Sequence, residues 1–162
     1  MHYTKIASPL GELLVMGNED GLTGLYLPTG RHAALTPQFA DRDDAALADV
    51  REQLDEYFAG KRTEFELRLN PHGTPFQLKV WLALRAIPFG STASYGQQAA
   101  RIGDPGSARA VGLANGRNPI SIIVPCHRVI GADGSLTGYG GGMAAKRWLL
   151  DHEAQSAGLT LL

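Results

Sequence analysis

The chain has 162 residues, 44% of them hydrophobic, which suits one or two small domains with a real core. Its single cysteine, Cys126, excludes an internal disulfide and every zinc site that needs several cysteines; the five histidines show no metal-ligand spacing, so we expect neither metal nor cofactor. The sequence shows no signal peptide and no apolar stretch of about 20 residues, so we expect a soluble, cytoplasmic protein.

The formal net charge of −1 conceals a difference between the two halves of the chain. Residues 1–73 hold 7 Lys+Arg and 12 Asp+Glu, giving −5, whereas residues 74–162 hold 8 and 4, giving +4. A basic half can mark a surface that binds nucleic acid. Ordinary variation of surface charge explains the same asymmetry equally well, so charge alone leaves both interpretations open.

The first 70 residues predict a small unit of strands followed by a helix. Three short apolar runs are separated by Gly, Pro, Asn and Asp turns and predict a meander of three strands: HYTKIA, ELLVMG and LTGLYL. Residues 28–43 are polar and predict a loop. Apolar residues at helical spacing in DAALADVREQLDEYFAG predict a helix that stops at Gly60. TEFELRL alternates and could form another strand.

The second half predicts helices with recognisable starts. Thr74 followed by Pro75 predicts the N-terminus of a helix in TPFQLKVWLALRAIP. Ser94 and Gln97 form a capping-box pattern for a short helix that ends near Gly103. Asp104-Pro105 predicts the N-cap and first turn of the next helix, GSARAVGLANG. Two short helices joined by so tight a turn indicate a helix-turn-helix, although other αα-corners share the pattern.

The last third combines a core-like segment, a glycine-rich loop and a helix. The β-branched residues 120–124 predict a buried strand or extended segment that leads to Pro125. ADGSLTGYGGG predicts a hairpin or loop. MAAKRWLLDHEAQ predicts an amphipathic helix, with side chains expected to face inward at Met143, Trp148 and Leu149 and outward at Lys146 and Arg147.

Cys126 has two interpretations from spacing alone. Most free cysteines behave as small buried hydrophobes. A reactive thiol needs a base and positive charge nearby, and His127 and Arg128 are residues of those types. Neighbouring side chains of an extended segment point to opposite faces, so adjacency is weak evidence. A Cys–His pair also needs an acid to orient the imidazole, and Glu153 is one candidate.

The segment NPISIIVPCHRVIGADGSLTGYGGGMAAKRWLLDHE resembles the signature of the O6-alkylguanine-DNA alkyltransferases. The resemblance covers residues 73–153, and SPLGELLV resembles the opening of the family's N-terminal domain. It implies an α+β fold with two domains. Residues 1–70 would form a small N-terminal α/β domain, an antiparallel sheet plus helix that is ribonuclease-H-like. Residues 71–162 would form a mostly helical, winged-helix-like domain with the helix-turn-helix.

The resemblance also implies a reaction. Cys126 matches the residue that accepts an alkyl group from guanine O6 in DNA, and the same activity is expected on O4-alkylthymine. His127 and Glu153 match the pair that draws the thiol proton, in the family through an ordered water. Asn118 matches a residue that ties the recognition helix to the active-site segment, and Arg128 is expected to form a structural ion pair.

The same resemblance implies that double-stranded DNA is the partner, bound in the minor groove with little sequence preference. The damaged base must leave the stack to reach a buried thiol. Arg109 matches the side chain that fills the vacated space, and Tyr95 matches the residue that presses on the flipped nucleotide and can donate a proton to the leaving guanine. The remaining DNA contacts are expected from the same helix, at Ala108, Ala110, Gly112 and Asn115.

Four residues match the pocket for the flipped base: Ser94, Val129, Tyr139 and Gly140. Some relatives have serine where this chain has Gly140, which leaves open whether a side chain contacts the leaving oxygen here or a backbone N–H takes its place. The thioether product is a poor leaving group, which implies one turnover per molecule. The protein would be a monomer in solution, with clustering on DNA left open. A non-catalytic lesion-binding module and a thiol hydrolase are the alternative functions.

Overall fold

The computed structural model describes residues 1–33, 35–37 and 39–158, and the N-terminal domain in it is a four-stranded sheet covered by a helix. The predicted meander is confirmed as β1 (His2–Ile6), β2 (Leu13–Asn18) and β3 (Gly21–Tyr26), paired antiparallel. A short β4 (Asp41–Arg42) pairs in parallel with β1, which gives the order β3-β2-β1-β4. The strand β4 lies in a segment predicted to be loop, as does a 3₁₀ turn at Gly30–His32.

Helix α1 (Ala48–Phe58) buries Val50, Leu54 and Tyr57, and it ends before Gly60, whose φ of 76° suits a glycine. The strand predicted in TEFELRL is wrong. Only Leu69 bridges to Leu22 of β3, because this segment meets the sheet edge at one point and then leads into the second domain.

The C-terminal domain is built around three helices: α2 (Pro75–Leu84), α3 (Tyr95–Arg101) and α4 (Ala108–Gly116). The predicted capping box at Ser94 and the predicted N-cap at Thr74 are both confirmed, and Thr74 also forms a capping box, since each side chain makes reciprocal bonds with the glutamine three residues on. The buried indole of Trp81 on α2 donates to the carbonyl of Ala114 on α4 at 2.8 Å. Local signals thus fix the helix starts, and packing fixes their angles.

The predicted start of α4 is wrong. Asp104 and Pro105 form a separate turn, in which the N–H and the hydroxyl of Ser107 both donate to the carbonyl of Asp104, at 3.0 and 2.7 Å. Helix α4 begins after Ser107. The helix-turn-helix arrangement is kept, because α3 and α4 still pack against each other across this turn.

Residues 120–124 are buried but do not form the predicted strand. They form a turn in which Ile122 has a φ of 73°, unusual for a β-branched residue, and Val124 N–H donates to the carbonyl of Ile120 at 3.1 Å. A 3₁₀ turn at Cys126–Arg128 follows, then β6 (Val129–Ile130), which pairs in parallel with β5 (Ala93–Ser94). The turn replaces a strand because its polar backbone is satisfied locally and by the neighbouring Asn118 side chain.

Helix α5 (Met143–Ser156) runs behind this turn, and two of its predicted orientations are wrong. Lys146 is only 1% exposed, because two backbone carbonyls accept from its ammonium, whereas Met143 in the first turn is 41% exposed. Leu149 is buried as predicted. Within residues 1–33, 35–37 and 39–158, no helix combines the length and apolar character needed to cross a membrane.

The two domains share one core. Leu25 of β3 bridges in parallel to Ile120; Leu25 N–H donates to Pro119 O at 2.8 Å, and Ser121 N–H donates to Leu25 O at 3.2 Å. The N-terminal sheet therefore extends to the segment that precedes Cys126. The predicted α+β class with a helical second domain is confirmed, while a boundary between residues 70 and 71 stays a prediction.

Candidate active site

Cys126 is 6% exposed and sits at the start of the buried 3₁₀ turn. The side-chain amide of Asn118 donates to the carbonyl of Val124 at 2.8 Å and to the Cys126 sulfur at 3.3 Å. Its oxygen accepts from the N–H of Ile120 at 3.0 Å. Asn118 thereby joins the segment after α4 to the thiol, the role that the sequence suggested for it.

His127 and Glu153 lie together in the interior, with Nε2 of His127 2.7 Å from Oε2 of Glu153. Burial lowers the pKa of His127, and the opposing charge of Glu153 does not outweigh it. The imidazole is therefore neutral at neutral pH, with its proton on Nε2 facing the carboxylate. Nδ1 has no hydrogen-bond partner among the residues that the structure describes, so this nitrogen is able to accept a proton.

Glu153 is held by two further side chains. Arg128 donates from Nε to Oε1 at 2.7 Å and from Nη2 to Oε2 at 3.0 Å, a bidentate ion pair that matches the expectation for Arg128. The hydroxyl of Tyr57 donates to Oε2 at 2.6 Å. Burial by itself would raise the pKa of Glu153, but the hydrogen bond from the neutral His127 ring and the charge and hydrogen bonds of Arg128 hold it far below its usual range, so the carboxylate stays charged.

Tyr57 is a member of the site that sequence reasoning missed. It lies on α1 of the N-terminal domain, and its helical spacing predicted only a core position. Its ring is fully buried, yet its hydroxyl reaches a carboxylate 96 positions further along the chain. The spacing of apolar residues identifies the buried face of a helix, but it does not identify the hydrogen-bond partner of a buried hydroxyl.

Lys146 is a second residue that sequence reasoning missed. Its ammonium donates to the carbonyls of Val129 at 2.6 Å and Thr137 at 2.8 Å. Burial lowers its pKa. Burial also raises the pKa of the Cys126 thiol, while the Asn118 amide and the Lys146 charge act in the opposite direction. The resting thiol is thus protonated, and a base has to remove its proton before it reacts strongly.

An open cleft of about 750 Å³ lies on the outer side of the helix-turn-helix. Its polar lining comes from both domains: Arg31, Tyr95, Arg109, Arg117, Thr137 and Tyr139. The hydroxyls of Tyr95 and Thr137 are 2.7 Å apart. Cys126 does not line this cleft in the described part of the chain. Tyr139 lines it, and burial, with a smaller effect of a Cys126 thiolate, raises the pKa of the Tyr139 hydroxyl.

The outer face of α4 carries most of the residues predicted to contact DNA. Arg109 and Ala110 are exposed, Ala108 is half-buried, and a side-chain carbon on Gly112 would lie 3.6 Å from the Tyr95 ring. Asn115 lies elsewhere. It is buried between α3 and α4, where its amide donates to Oε1 of Gln98 at 2.8 Å and its Oδ1 accepts from Nε2 of Gln98 at 3.1 Å. Its side chain is therefore part of the helix-turn-helix interior.

The predicted pocket residues divide into two groups. Ser94 caps α3, and Val129 is buried opposite Ala93 in the β5–β6 pair, so both support the site from behind. Tyr139 lines the cleft, and Gly140 is the next residue of the same glycine-rich segment, behind the lining residues 137–139. The main-chain N–H of Arg31, from the N-terminal domain, donates to the carbonyl of Gly140 at 2.8 Å. No feature of the sequence pointed to Arg31, which lies in the acidic half.

Comparisons with known proteins agree with this geometry. Residues 75–155 match the family described as 6-O-methylguanine DNA methyltransferase, DNA binding domain, and residues 1–71 match its ribonuclease-like domain. A Mycobacterium tuberculosis protein named methylated-DNA--protein-cysteine methyltransferase is 52% identical over 97% of this chain and 94% of its own length. A Methanosarcina acetivorans protein of the same name is 46% identical over 94% and 98%.

Solved structures give the same result. The crystal structure of Mycobacterium tuberculosis OGT in complex with DNA superposes with a TM-score of 0.90 at 51% identity, covering 96% of this chain and 94% of that one. A methyltransferase from a hyperthermophilic Pyrococcus shares the fold, with a TM-score of 0.68 at 24% identity over 94% and 98% of the two chains.

Proposed function

The chain belongs to the 6-O-methylguanine DNA methyltransferase family, and on that premise we propose that it repairs DNA by moving an alkyl group from guanine O6 to its own Cys126. The observation that carries the proposal is the buried turn Cys126–Arg128. It presents a thiol held by Asn118 and, one residue on, an imidazole whose far nitrogen is bound by Glu153. A thiolate formed there is a soft nucleophile suited to displacement at a saturated carbon.

The reaction is a proton transfer coupled to a displacement. The thiol proton passes to Nδ1 of His127, through a bridging water, and the imidazolium is stabilised by Glu153 at 2.7 Å. The sulfur attacks the alkyl carbon, a C–S bond forms, and the bond from that carbon to guanine O6 breaks. The electron pair stays on the guanine, which takes a proton from the hydroxyl of Tyr95. Tyr95 then regains a proton from solvent as the His127 imidazolium releases one, so atoms and charge balance.

DNA binding uses the outer face of α4 in the minor groove. Arg109 fills the space that the flipped base leaves, and the small residues Ala108, Ala110 and Gly112 let the helix approach the backbone closely. The flipped base occupies the cleft beside Tyr95 and Tyr139. O4-alkylthymine offers the same kind of carbon and leaving oxygen, so it is a second substrate. Sequence preference is low because no specific base contact is required.

Each molecule acts once. The product is a thioether, and the chain has one cysteine, so it holds no second thiol to remove the alkyl group. The protein works in the cytoplasm, is a monomer in solution and binds duplex DNA.

Intact-mass spectrometry after mixing with duplex DNA that contains O6-methylguanine tests the proposal. We expect a gain of one CH₂ group, located on Cys126 by peptide mapping, with a yield that stops at one equivalent per protein. Cys126→Ala should bind the same DNA and gain nothing. Tight binding by the unaltered protein without a mass change would instead identify a non-catalytic lesion-binding module, and sustained turnover of an ester would identify a thiol hydrolase.

A further inference from the structure

The wall of the cleft, residues 137–142, is supported from outside by residues 27–32 of the N-terminal domain. We propose that His32 in this N-terminal support is a positioning residue that sets where the cleft wall stands, and that position 140 must be glycine because of it. The inference deepens the proposed function, on which it rests wherever alkyl transfer is the readout.

Main-chain contacts fix the two segments together. The N–H of Arg31 donates to the carbonyl of Gly140 at 2.8 Å, and the hydroxyl of Thr29 donates to the carbonyl of Gly141. A side-chain carbon on Gly141 would lie 3.0 Å from a methyl group of Leu27. The cleft wall therefore cannot move outward, because the N-terminal support is already in contact with it, and a move toward the cleft strains these hydrogen bonds.

The approach is close enough that Gly30 cannot carry a side chain. Its φ is 62°, and a Cβ there would lie 2.5 Å from both the carbonyl oxygen of Gly140 and the nitrogen of Gly142. The backbones of the support and the wall are thus in direct contact. Because no flexible side chain lies between the two backbones, a displacement of the support also displaces the wall.

His32 is held rigidly at this contact. Its Nδ1 accepts from the N–H of Leu27 at 3.1 Å, and its ring stands edge-on to Tyr26, with centroids 5.3 Å apart and planes at 84°. Burial lowers its pKa to about 4, so the ring is neutral at neutral pH and carries its proton on Nε2. Nε2 lies 2.9 Å from the point where a Cβ on Gly140 would stand.

A side chain at position 140 would therefore displace either the His32 ring or the cleft wall. Turning the ring away would break its hydrogen bond to Leu27 and its edge contact with Tyr26, so the wall shifts toward the cleft instead. Tyr139 directly precedes Gly140, and the hydroxyl of Thr137 is hydrogen-bonded to that of Tyr95. A shift of the wall therefore narrows the space beside the flipped base. With a side chain at position 140, His32 would thereby limit the size of the alkyl group that reaches Cys126, and glycine at this position avoids that limit.

The test compares Gly140→Ser, His32→Ala and the double variant, with Gly138→Ser as matched control. Gly138 lies in the same wall and lines the cleft, and a Cβ there would meet nothing within 4 Å, so this variant measures the effect of an added side chain that does not meet His32. The readouts are the rates of methyl transfer from O6-methylguanine in duplex DNA and of benzyl transfer from O6-benzylguanine. Gly140→Ser should slow methyl transfer by about tenfold or more and benzyl transfer further. The methyl-transfer rate of the double variant should return to within about threefold of the rate of His32→Ala. Its ratio of benzyl to methyl transfer should return to the ratio that His32→Ala shows.

Two outcomes overturn the inference: a Gly140→Ser variant as fast as Gly138→Ser, or a double variant as slow as Gly140→Ser alone. A general loss of stability would lower both transfers equally and leave their ratio unchanged. If Gly140→Ser does not fold, Gly140→Ala adds only the Cβ and replaces it. Urea unfolding of the same set tests the contact without any transfer, because His32→Ala should recover stability lost at position 140. That result stands even if the unaltered protein transfers nothing.

Discussion

The ammonium of Lys146 shows how one residue can set the reactivity of another that it does not bond. It is buried, its described partners are two carbonyls, and its charge acts on Cys126. Burying a charge without a counter-charge is costly. The arrangement becomes favourable when the thiol loses its proton, because the thiolate then supplies the missing negative charge. Lys146 thus stabilises the reactive form of Cys126 and not the resting one.

Lys146→Met should raise the pKa of the Cys126 thiol. Removing the positive charge destabilises the thiolate, so the rise of iodoacetamide labelling with pH should move to higher pH. Labelling at pH 7 should slow on the order of tenfold, since one charge several ångströms away contributes about 1–2 kcal/mol. Cys126 is the single cysteine of the chain, so total labelling reports it directly. Arg147→Met, one position along on the exposed face of α5, is the control and should leave the profile in place.

The ionisation of Glu153 should make the free energy of unfolding depend on pH in the acid range. Its pKa in the folded protein is far below its usual range, so its contribution is complete above the unfolded pKa of about 4.3 and is lost as the pH falls below that value. Glu153→Gln should cost about 3–5 kcal/mol at pH 7, because it leaves Arg128 buried without its partner. Urea unfolding at pH 7, 5 and 3.5 should show this difference narrow only at the lowest pH.

The control for that series is Glu12→Gln. Glu12 pairs with Lys5 at 3.7 Å on the surface, with a side chain 63% exposed, so its replacement should change the free energy of unfolding by less than about 1 kcal/mol at every pH. A Glu153→Gln difference that stays constant down to pH 3.5 would mean that the carboxylate is not held ionised in the folded protein.

At the scale of elements, α3 and α4 are joined by a reciprocal amide pair between Gln98 and Asn115. Each amide satisfies the other in a buried place, so removing one leaves the other without its partner. Gln98→Leu should therefore destabilise the protein by about 1–3 kcal/mol, and the double Leu variant should cost less than the two single changes added together. Urea unfolding of the cycle measures this; Gln155→Leu, at an exposed position of α5, should change little.

The starts of α2 and α3 depend on adjacent residues and were predictable. The start of α4 was not, because Asp104 and Pro105 form a turn of their own, and neither was the backbone of residues 120–124, which depends on more distant partners. The capping boxes at Thr74 and Ser94 involve residues three apart, so the sequence contains the whole signal. Residues 120–124 have the composition of a strand, but the amide of Asn118 and the contact of Ile120 with Leu25 make a turn more favourable. The composition of these residues predicted correctly that they are buried, but it predicted a strand where the backbone forms a turn.

The candidate site follows the same division. Cys126, His127 and Glu153 could be assigned because a family signature contains all of them, and the structure brings the latter two within hydrogen-bond distance. Tyr57 and Arg31 come from the N-terminal domain and reach the site only through the docking of the two domains. Lys146 was assigned outward, since charged residues are rarely buried, and the carbonyls that hold it belong to a loop with no sequence signal.

At the scale of the whole molecule, the acidic and basic halves meet at the cleft. The N-terminal half has a net charge of −5, yet it contributes Arg31 to a cleft that Arg109 and Arg117 also line. The guanidinium of Arg31 donates to the carbonyl of Gly116 at the end of α4, which holds it on the basic side. Positive charge is therefore concentrated on one face even though the molecule as a whole is nearly neutral.

This distribution predicts how DNA binding depends on salt. Affinity of the Cys126→Ala protein for an undamaged duplex should fall linearly on a log–log plot against salt concentration, because phosphate contacts release bound cations. Arg117→Ala should make the slope shallower by about 1, since Arg117 is exposed beside the cleft. Arg42→Ala, on the acidic half and paired with Asp44 at 3.0 Å, should leave the slope unchanged. Fluorescence anisotropy between 50 and 300 mM salt, roughly the range over which such contacts weaken, measures all three; equal slopes for both arginine variants would mean that the duplex binds on another face.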